Sequence, residues 1–345
     1  MGCPPQNRPF PSRLVPGPRN AITDVPGVAV GHCTLAGGPV QTGVTAVLPH
    51  GGNLFREKVP AGCAVFNGFG KTAGLMQVKE LGVLESPIVL TNTLSVGTAF
   101  TALVKRAMDQ SPEIGGEAGT VNPLVCECND GHLNDIRGLH ITEEHVFQAL
   151  DSAGPDFEEG SVGAGRGMTC YGCKGGIGTA SRLVDVGGES FRVGCLVLTN
   201  YGREGDLRLQ GETPLADSVP RPDKGSAIVI LATDAPLSDR QLNRLSRRAI
   251  AGLCRSGSII GSGSGELAVS FSTACRLSHQ DAGLFLTLRQ LREETMDFFF
   301  AAAAEAVEDA VYSSLLHAET VRGIRGNESV SLLRRLPHQD ECRGR

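Results

Sequence analysis

The feature that most constrains this chain is an apolar, β-branched run whose first residue is a serine. Residues 223–237 read DKGSAIVILATDAPL, so Ser226 follows a glycine and opens a run typical of a buried strand. Residues 201–225 are rich in glycine, proline and charge, which indicates a surface loop. A serine at the junction of such a loop and a buried strand is better placed for chemistry than a serine inside a core.

The Gly225–Ser226 bond has the chemistry that self-cleavage needs. The Ser226 hydroxyl can attack the Gly225 carbonyl, and glycine tolerates backbone conformations that bring the two atoms into line. Hydrolysis of the resulting ester would leave Ser226 as a new N-terminus. Its α-amine, with an unperturbed pKa of about 7.7 to 8.0, could then activate its own hydroxyl. The alternative is a strand that merely begins with serine, and this segment taken alone favours that simpler interpretation.

A second glycine-rich stretch, residues 261–266 (GSGSGE), supplies partners for such a serine. If the stretch is extended, the alternation of side chains puts Ser262, Ser264 and Glu266 on one face. A hydroxyl and a carboxylate there can orient a nucleophile and relay a proton. A glycine-rich hairpin is the simpler alternative. A phosphate-binding loop is disfavoured because no Gly-Lys-Ser/Thr follows.

Five motifs in register resemble one family. They are residues 20–32 (NAITDVPGVAVGH), 133–136 (LNDI), 174–182 (KGGIGTASR), 225–237 and 263–266 (GSGE). Together they are similar to the L-aminopeptidase/D-Ala-esterase/amidase family, which includes the β-peptidyl aminopeptidases. The similarity runs from about residue 13 to about residue 320 in the order that the family has, which is more specific than any single motif.

The resemblance implies a fold and a maturation step. The fold is α/β, a four-layer αββα sandwich whose layering is like that of N-terminal-nucleophile (Ntn) hydrolases but whose connectivity differs. Members of the family are made as inactive precursors that cut themselves before the nucleophilic serine. Residues 1–345 would form one domain, processed into an α chain (1–225) and a β chain (226–345) that stay together. Homo-oligomers are expected as well.

The resemblance also implies a catalytic set, carried over residue by residue. Ser226 is the nucleophile, and cleavage falls between Gly225 and Ser226. Ser264 and Glu266 are the partners of the nucleophile. Asn200, at the end of an apolar strand, donates to the oxyanion. One such amide donor contributes roughly 3 to 4 kcal/mol to the transition state.

An aminopeptidase must also hold the ammonium group of its substrate, which requires a carboxylate at a fixed distance from the nucleophile. Glu127 is the candidate, with Asp130 and Asp135 as alternatives. Asn129 stands where some family members carry a tyrosine that donates to the oxyanion, and we place it with Glu127 in the substrate-binding region. The simpler interpretation is that these Asn and Asp side chains cap tight turns.

Two departures from the family pattern concern a turn at residues 67–71. This chain has NGFGK where the family shows NGNGE, so Phe69 and Lys71 replace an amide and an acid. If the turn borders the substrate pocket, specificity differs from that of the better-known members; the alternative is an effect on surface packing alone.

Lys174 could stabilise an anion, although a lysine in a turn is usually solvated.

Composition bounds the remaining possibilities. The 345 residues allow two domains or one large α/β domain. A formal charge of −5 does not indicate a nucleic-acid partner. The sequence shows no secretory signal and no apolar run of the ~18 residues that a membrane span needs, so we expect a cytoplasmic protein without a membrane partner. Residues 335–345 are charged and predicted to be a disordered tail.

Eleven cysteines raise the question of a metal site. Cys126, Cys128, Cys170 and Cys173 could supply four thiolates to zinc. Reduced, mostly buried thiols of a cytosolic chain are the favoured interpretation, because each pair lies within or beside a family motif in which cysteine is not the shared feature. We therefore predict no metal, and the proposed chemistry needs no organic cofactor.

Hydrophobic periodicity and turn residues predict further elements. Strands are expected at residues 42–49, 63–67, 86–91 and 121–126, and helices at 71–81, 96–108 and about 293–317. Ser95 and Ser238 are predicted N-caps. The long helix is expected to bury a stripe that includes Phe298, Ala302 and Val307.

The function predicted from these residues and the resemblance is that of a self-cleaving serine aminopeptidase. It would release the N-terminal residue of small peptides, amino-acid amides or esters through an acyl-enzyme on Ser226. One alternative is an acyltransferase of related layering, as in the ornithine acetyltransferases, but those use threonine at the cut. The other is an uncleaved, non-catalytic binding protein that keeps the fold.

Overall fold

The structure, a computed structural model, describes residues 13–209, 211–215, 225–279 and 283–336. The strands are β1 (Ala29–Gly37), β2 (Val40–Leu48), β3 (Glu57–Val65), β4 (Val83–Leu84), β5 (Ile88–Asn92), β6 (Leu124–Cys128), β7 (Thr169–Cys170), β8 (Cys173–Lys174), β9 (Gly176–Val186), β10 (Glu189–Asn200), β11 (Ser226–Thr233), β12 (Gly265–Ser272), β13 (Leu277–Ser278), β14 (Val321–Arg322) and β15 (Glu328–Ser329). The α-helices are α1 (Leu75–Leu81), α2 (Val96–Gln110), α3 (Glu143–Asp151), α4 (Asp239–Ser246), α5 (Ala249–Arg255), α6 (Met296–Leu316) and α7 (Leu332–Arg335).

Two sheets form the centre of the molecule. The smaller has the strand order β1-β2-β5-β6, and the larger follows the path β13-β3-β12-β11-β10-β9, with β4 beside β3. Neighbours in both sheets are mostly antiparallel, but β5 runs parallel to β6 and β11 runs parallel to β12. Parallel neighbours need a crossover, and α4 and α5 lie in the connection between β11 and β12.

Apolar side chains separate the structure into four layers. One cluster fills the space between the two sheets and includes Val47, Leu90, Leu198 and Ile228. A second packs α4, α5 and α6 against the outer face of the larger sheet. A third packs α2 and α3 against the outer face of the smaller sheet. The order helices, sheet, sheet, helices is the predicted αββα sandwich, which is thereby confirmed.

Strand β11 lies in the interior of the larger sheet and is buried along its whole length. Its side chains alternate, so that Ile228 and Ile230 face the other sheet while Ala227 and Val229 face the helices. This explains why the strand is a continuous β-branched and apolar run. Ser226 is its first residue, at the end of the sheet where β10 finishes and β12 begins.

The predicted strands and the helix at 96–108 are present with ends shifted by up to six residues, the largest shift being at the start of β3, but two local predictions are wrong. The helix expected from Lys71 begins only at Leu75, because Ala73 pairs with Val125 and Gly74 has a φ of 96°. Ser95 does not cap α2 with its side chain. The predicted cap at Ser238 is confirmed, since its hydroxyl accepts from Gln241 N.

The long helix is present as α6, but its predicted stripe contains an error. Phe298 is exposed, whereas Phe299 and Phe300 are buried. Helix α6 is buried on most of its surface, so an apolar stripe of period 3.6 does not select its core-facing side chains. Within the described residues, no helix is long and apolar enough to cross a membrane.

Two predicted irregular segments are more ordered than expected where the structure describes them. In the predicted surface loop at 201–225, Tyr201, Leu207 and Leu215 are buried against the helix-side core. The first two residues of the expected disordered tail are ordered: Arg335 ends α7 and donates to the Gly172 carbonyl at 3.1 Å, and Leu336 N donates to the Leu332 carbonyl at 3.0 Å. Residues 337–345, like 216–224, lie outside the described residues.

Candidate active site

Ser226 lies between two neighbours in the larger sheet. Its Cα pairs with Asn200 on β10 and with Gly265 on β12. The side chain is almost buried, with 5% of its surface exposed. Because residues paired across strands point to the same face, Ser226 and Asn200 both project toward the space between the sheets.

Gly225 occupies a position with no room for a side chain. A Cβ built on it would lie 1.8 Å from the Asn200 carbonyl oxygen. On the other side, the Gly225 carbonyl accepts a hydrogen bond of 3.0 Å from Gly265 N. Glycine was expected here for its backbone freedom; the structure shows instead that close approach to β10 requires it.

Ser264 and Glu266 form a buried pair beside Ser226. The Ser264 hydroxyl donates to the Glu266 carboxylate, and neither side chain is exposed. Glu266 pairs with Ala227, which faces the helices, so the pair lies on the face opposite the Ser226 side chain. The predicted alignment of Ser262 with them is wrong, because β12 begins only at Gly265 and Ser262 lies exposed in the preceding turn.

Asn67 holds that turn in place, a function that the sequence analysis did not assign. Its Nδ2 donates to the carbonyls of Gly261 at 2.9 Å and Ser262 at 3.2 Å, and also to the Ser264 carbonyl. The backbone directly after β3 adds to this contact, since Phe66 N donates to the Glu266 carbonyl. An asparagine at the end of a predicted strand was the available signal.

Asn200 is held at both ends of its amide. Its Oδ1 accepts from Thr169 N at 3.0 Å, and its Nδ2 donates to the Asn129 carbonyl at 3.0 Å. The second Nδ2 proton remains to be directed at a ligand. As the strand partner of Ser226, Asn200 is suitably placed to donate to an oxyanion formed at the serine.

Glu127 is buried next to the turn that covers the site. Its carboxylate accepts from Lys71 N at 2.7 Å and from the Thr93 hydroxyl. In the same turn, Gly70 N lies 2.6 Å from where a Cβ on Gly265 would be. The turn at 67–71 therefore spans from Glu127 to the strand neighbour of Ser226.

Asp130 and Asp135, the alternative candidates for binding the substrate ammonium, have different surroundings from Glu127. Asp130 is fully buried and accepts from Asn134 Nδ2 at 3.0 Å. Burial raises its pKa to about 6, with the hydrogen bonds opposing this effect. Asp135 lies 3.2 Å from His140. Only Glu127 of the three contacts the turn over Gly265 in the part of the chain that the structure describes.

Asn129 is exposed, and its side chain has a structural partner. Its Oδ1 accepts from Gly131 N at 2.9 Å, as in a side-chain-capped turn. Its main chain contacts the site, because its carbonyl accepts from Asn200. The structure thus brings together the main chain of Asn129 with Asn200, while its side chain faces the following turn.

Burial disfavours the thiolate form of the two cysteines near the site, Cys126 and Cys128. Cys128 Sγ donates to the Ser226 carbonyl at 3.5 Å. Burial raises the pKa of Cys128 well above its ordinary value and that of Cys126 to about 12. Thiolates are the nucleophilic and metal-binding form. Within the described ranges, no group of three or more His, Cys, Asp or Glu side chains could hold a metal ion.

Three further residues singled out in the sequence have distinct positions. Phe69 is 62% exposed, and the Lys71 ammonium lies 4.9 Å from the centre of its ring. Both therefore lie in the turn that covers Gly265, with the aromatic side chain toward solvent. The expectation that Lys174 is solvated is wrong: it is fully buried, and burial lowers its pKa well below the ordinary value.

The sequence model of "Peptidase family S58" matches residues 20–329. The chain belongs to peptidase family S58. This confirms the resemblance and the expectation of a peptide-bond hydrolase. Two proteins named beta-peptidyl aminopeptidase BapA are similar to this chain in sequence. The one from Sphingosinicella microcystinivorans is 38% identical over 94% of this chain and 87% of its own length. The one from Sphingosinicella xenopeptidilytica is 38% identical over 91% and 84%.

Solved structures extend the S58 comparison to the fold. The PH0078 protein of Pyrococcus horikoshii OT3 has a TM-score of 0.91 at 48% identity, covering 96% of this chain and 95% of its own. The L-aminopeptidase D-Ala-esterase/amidase of Ochrobactrum anthropi has a TM-score of 0.86 at 36% identity, covering 94% and 93%. It is described as a prototype for the serine aminopeptidases and a variant among the Ntn hydrolase fold. The predicted fold class is confirmed.

Proposed function

We propose that this S58 member is a self-processing aminopeptidase whose nucleophile is Ser226. The observation that carries the proposal is the position of Ser226 at the start of β11, with Asn200 on one side and Gly265 on the other. The Gly265 N–H already donates to the carbonyl that would be cut. Nucleophile, scissile carbonyl and hydrogen-bond donors thus meet at one end of the larger sheet.

Processing begins with attack of the Ser226 hydroxyl on the Gly225 carbonyl carbon. The C–O bond forms, the C–N bond breaks, and the hydroxyl proton passes to the Ser226 nitrogen. The product is an ester of Gly225 on Ser226. Water then hydrolyses that ester, leaving a carboxylate on Gly225 and a free α-amine on Ser226. The Gly265 N–H supports the negative oxygen that develops on the Gly225 carbonyl.

In substrate hydrolysis, the α-amine of Ser226 takes the proton of its own hydroxyl as the hydroxyl attacks the substrate carbonyl. Asn200 Nδ2 donates to the resulting oxyanion. The leaving amine takes the proton, and water releases the acyl group from Ser226. The Ser264–Glu266 pair lies across the sheet from the Ser226 side chain, so we assign it to the α-amine, which belongs to the main chain.

Glu127 supplies the negative charge for the substrate ammonium. It is buried, and a carboxylate in such surroundings binds an ammonium more strongly than one in water. We propose small peptides, amino-acid amides and esters with a free N-terminus as substrates, including those of β-amino acids, as the names of the two curated relatives indicate. The α and β chains, and the homo-oligomer that the resemblance implies, are part of this proposal.

The test is a set of p-nitroanilides of L-alanine, D-alanine and β-alanine, assayed with wild type and Ser226→Ala. We expect release of p-nitroaniline by wild type only, and labelling of Ser226 by a fluorophosphonate. Full activity of Ser226→Ala would exclude Ser226 as the nucleophile. An unlabelled, inactive wild type would favour the binding-protein alternative. Transfer of the acyl group to an added amine in preference to water would favour the acyltransferase.

A further inference from the structure

Lys174 is a fully buried cation outside the proposed catalytic set. Its Nζ donates to three backbone carbonyls, those of Gly165 and Met168 at 2.8 Å and that of Gly175 at 2.6 Å. Three carbonyl acceptors require three N–H protons, so these contacts favour the ammonium form, in opposition to the burial that lowers the Lys174 pKa. Lysine is among the residues least often fully buried, because an ammonium removed from water loses its hydration. A cation in this position therefore requires an explanation beyond packing.

One peptide group connects Lys174 to Asn200. The Met168 carbonyl, which accepts from Lys174 Nζ, and the Thr169 N–H belong to the same planar unit. That N–H donates to Asn200 Oδ1 at 3.0 Å. Gly175 N also donates to the Met168 carbonyl, at 3.0 Å. Because the peptide is planar, fixing its oxygen fixes the direction of its N–H.

This connection determines which end of the Asn200 amide faces the reaction. The oxygen and nitrogen of an amide side chain are nearly equal in size, so only hydrogen bonds choose between the two orientations. With Oδ1 on Thr169 N, Nδ2 lies toward the Asn129 carbonyl. The reverse orientation would present an oxygen to a developing oxyanion. A cation on the Met168 carbonyl also polarises the peptide and strengthens its N–H as a donor.

We propose that Lys174 is a positioning residue for the oxyanion donor Asn200, acting through the peptide group between Met168 and Thr169. This inference rests on the proposed function, because it assumes that Asn200 donates to the oxyanion. Lys174 contacts no reacting atom in this scheme. Its effect on catalysis passes through the Asn200 side chain alone, so a double-mutant cycle with Asn200 can measure it.

The experiment is a double-mutant cycle of Lys174→Met and Asn200→Ala. Alanine or β-alanine p-nitroanilide is the substrate, and kcat is expressed per site titrated to completion with a fluorophosphonate, so that unfolded or uncut protein is not counted. We expect Lys174→Met to lower kcat about tenfold or more with KM changed less than about twofold. In the Asn200→Ala background, the same substitution should change kcat less than about threefold.

Arg335→Met is the matched control. Arg335 donates to the Gly172 carbonyl at 3.1 Å, in the turn between β7 and β8 that Lys174 also flanks, but it does not bind the Met168 carbonyl. Its removal takes a cation from the same hairpin and should leave kcat per site unchanged. An equal loss in Arg335→Met and Lys174→Met would mean that the hairpin is merely loosened, which overturns the proposal.

Two results with Lys174 itself would also overturn it: full kcat in folded Lys174→Met, or equal losses in the presence and absence of the Asn200 side chain. If the Met variant does not fold, Lys174→Gln and Lys174→Arg enter the same cycle, and their coupling to Asn200→Ala is the criterion.

The proposed function can fail separately. If wild type hydrolyses nothing, the effect of Lys174 on Asn200 is measured by ¹⁵N NMR. The Asn200 side-chain amide signals are identified as those that disappear in Asn200→Ala. Lys174→Met, Gln or Arg should shift them and Arg335→Met should not; unshifted signals would overturn the link.

Discussion

Gly265 donates its backbone N–H to the carbonyl oxygen of Gly225 at 3.0 Å. The parallel pairing of β11 with β12 therefore helps to hold the bond proposed for self-cleavage. On the opposite side, the Gly225 backbone packs against the Asn200 carbonyl. Both strand neighbours of Ser226 thus fix the carbonyl that its hydroxyl would attack.

Substitution of Gly225 tests this packing. In Gly225→Ala the new Cβ would meet the Asn200 carbonyl oxygen at 1.8 Å, so the backbone must move away from β10. We expect the scissile carbonyl to be displaced and the purified chain to remain uncut on a denaturing gel. Gly97→Ala, where the new Cβ would meet no atom within 4 Å other than the neighbouring backbone of its own helix, is the control and should be processed as wild type. Normal cutting of Gly225→Ala would refute the packing argument.

Removal of the Asn200 amide should affect the chemical step. Loss of one oxyanion donor lowers kcat by about 10²- to 10³-fold, and KM should change little because the donor acts mainly in the transition state. Steady-state kinetics of Asn200→Ala measure both constants. The control is Asn53→Ala, which also removes a side-chain amide, one that donates to the Ser111 hydroxyl and is not part of the proposed site. A change in KM with kcat intact would exclude the oxyanion assignment.

The Glu127 carboxylate can be neutralised with little change of shape. Glu127→Gln keeps an oxygen for Lys71 N but loses the charge that binds a substrate ammonium. Hydrogen bonds to charged groups contribute about 1.5 to 3 kcal/mol, so we expect KM to rise about tenfold or more. Asp135→Asn should behave as wild type. If Asp130→Asn raises KM while Glu127→Gln does not, the ammonium site belongs to Asp130.

Asp130 should make stability depend on pH. Burial raises its pKa from 3.8 to about 6 in the folded chain, so between these values the folded state binds a proton that the unfolded chain has released. The contribution of Asp130 to the free energy of unfolding therefore falls as pH rises from about 4 to about 6, by up to about 1.4 kcal/mol per pH unit. Urea unfolding of wild type at pH 4, 5 and 6 measures this contribution together with those of other groups, such as Glu85, whose lowered pKa acts in the opposite direction.

Asp130→Asn removes the titrating group and should make unfolding less dependent on pH by that amount. Asp135→Asn, which changes a more exposed carboxylate, is the comparison and should retain the wild-type slope. Identical slopes in wild type and Asp130→Asn would show that the buried carboxyl does not carry the effect. The difference between variants isolates Asp130 from all other groups that titrate in this range.

The sequence predicted the structure correctly where a residue pattern is compatible with only one kind of element. A continuous β-branched run with serine at its start gave an interior strand, and the GSGE motif placed Ser264 beside Glu266. The layering came from the family resemblance, since alternating strands and helices alone do not specify four layers. Phe298 shows the limit of periodicity: when a helix is buried nearly all round, the apolar stripe does not identify its exposed side.

The contacts that hold the site were less predictable, because they join residues far apart in the chain. Asn67 and Ser264 are 197 positions apart, and Asn200 and Asn129 are 71 apart. Lys174 was misjudged because its partners are backbone carbonyls, which carry no sequence signal. Ser262 was misjudged because side-chain alternation applies only within a strand, and β12 begins three residues later.

The most direct test of the central claim is the intact mass and N-terminal sequence of the purified protein under denaturing conditions. The account predicts two chains of about 24 and about 13 kDa from the 36.2 kDa precursor, the smaller one beginning Ser-Ala-Ile-Val at Ser226. A single uncut chain that nevertheless hydrolyses aminoacyl p-nitroanilides would contradict it, because Ser226 would then have no α-amine to act as its base.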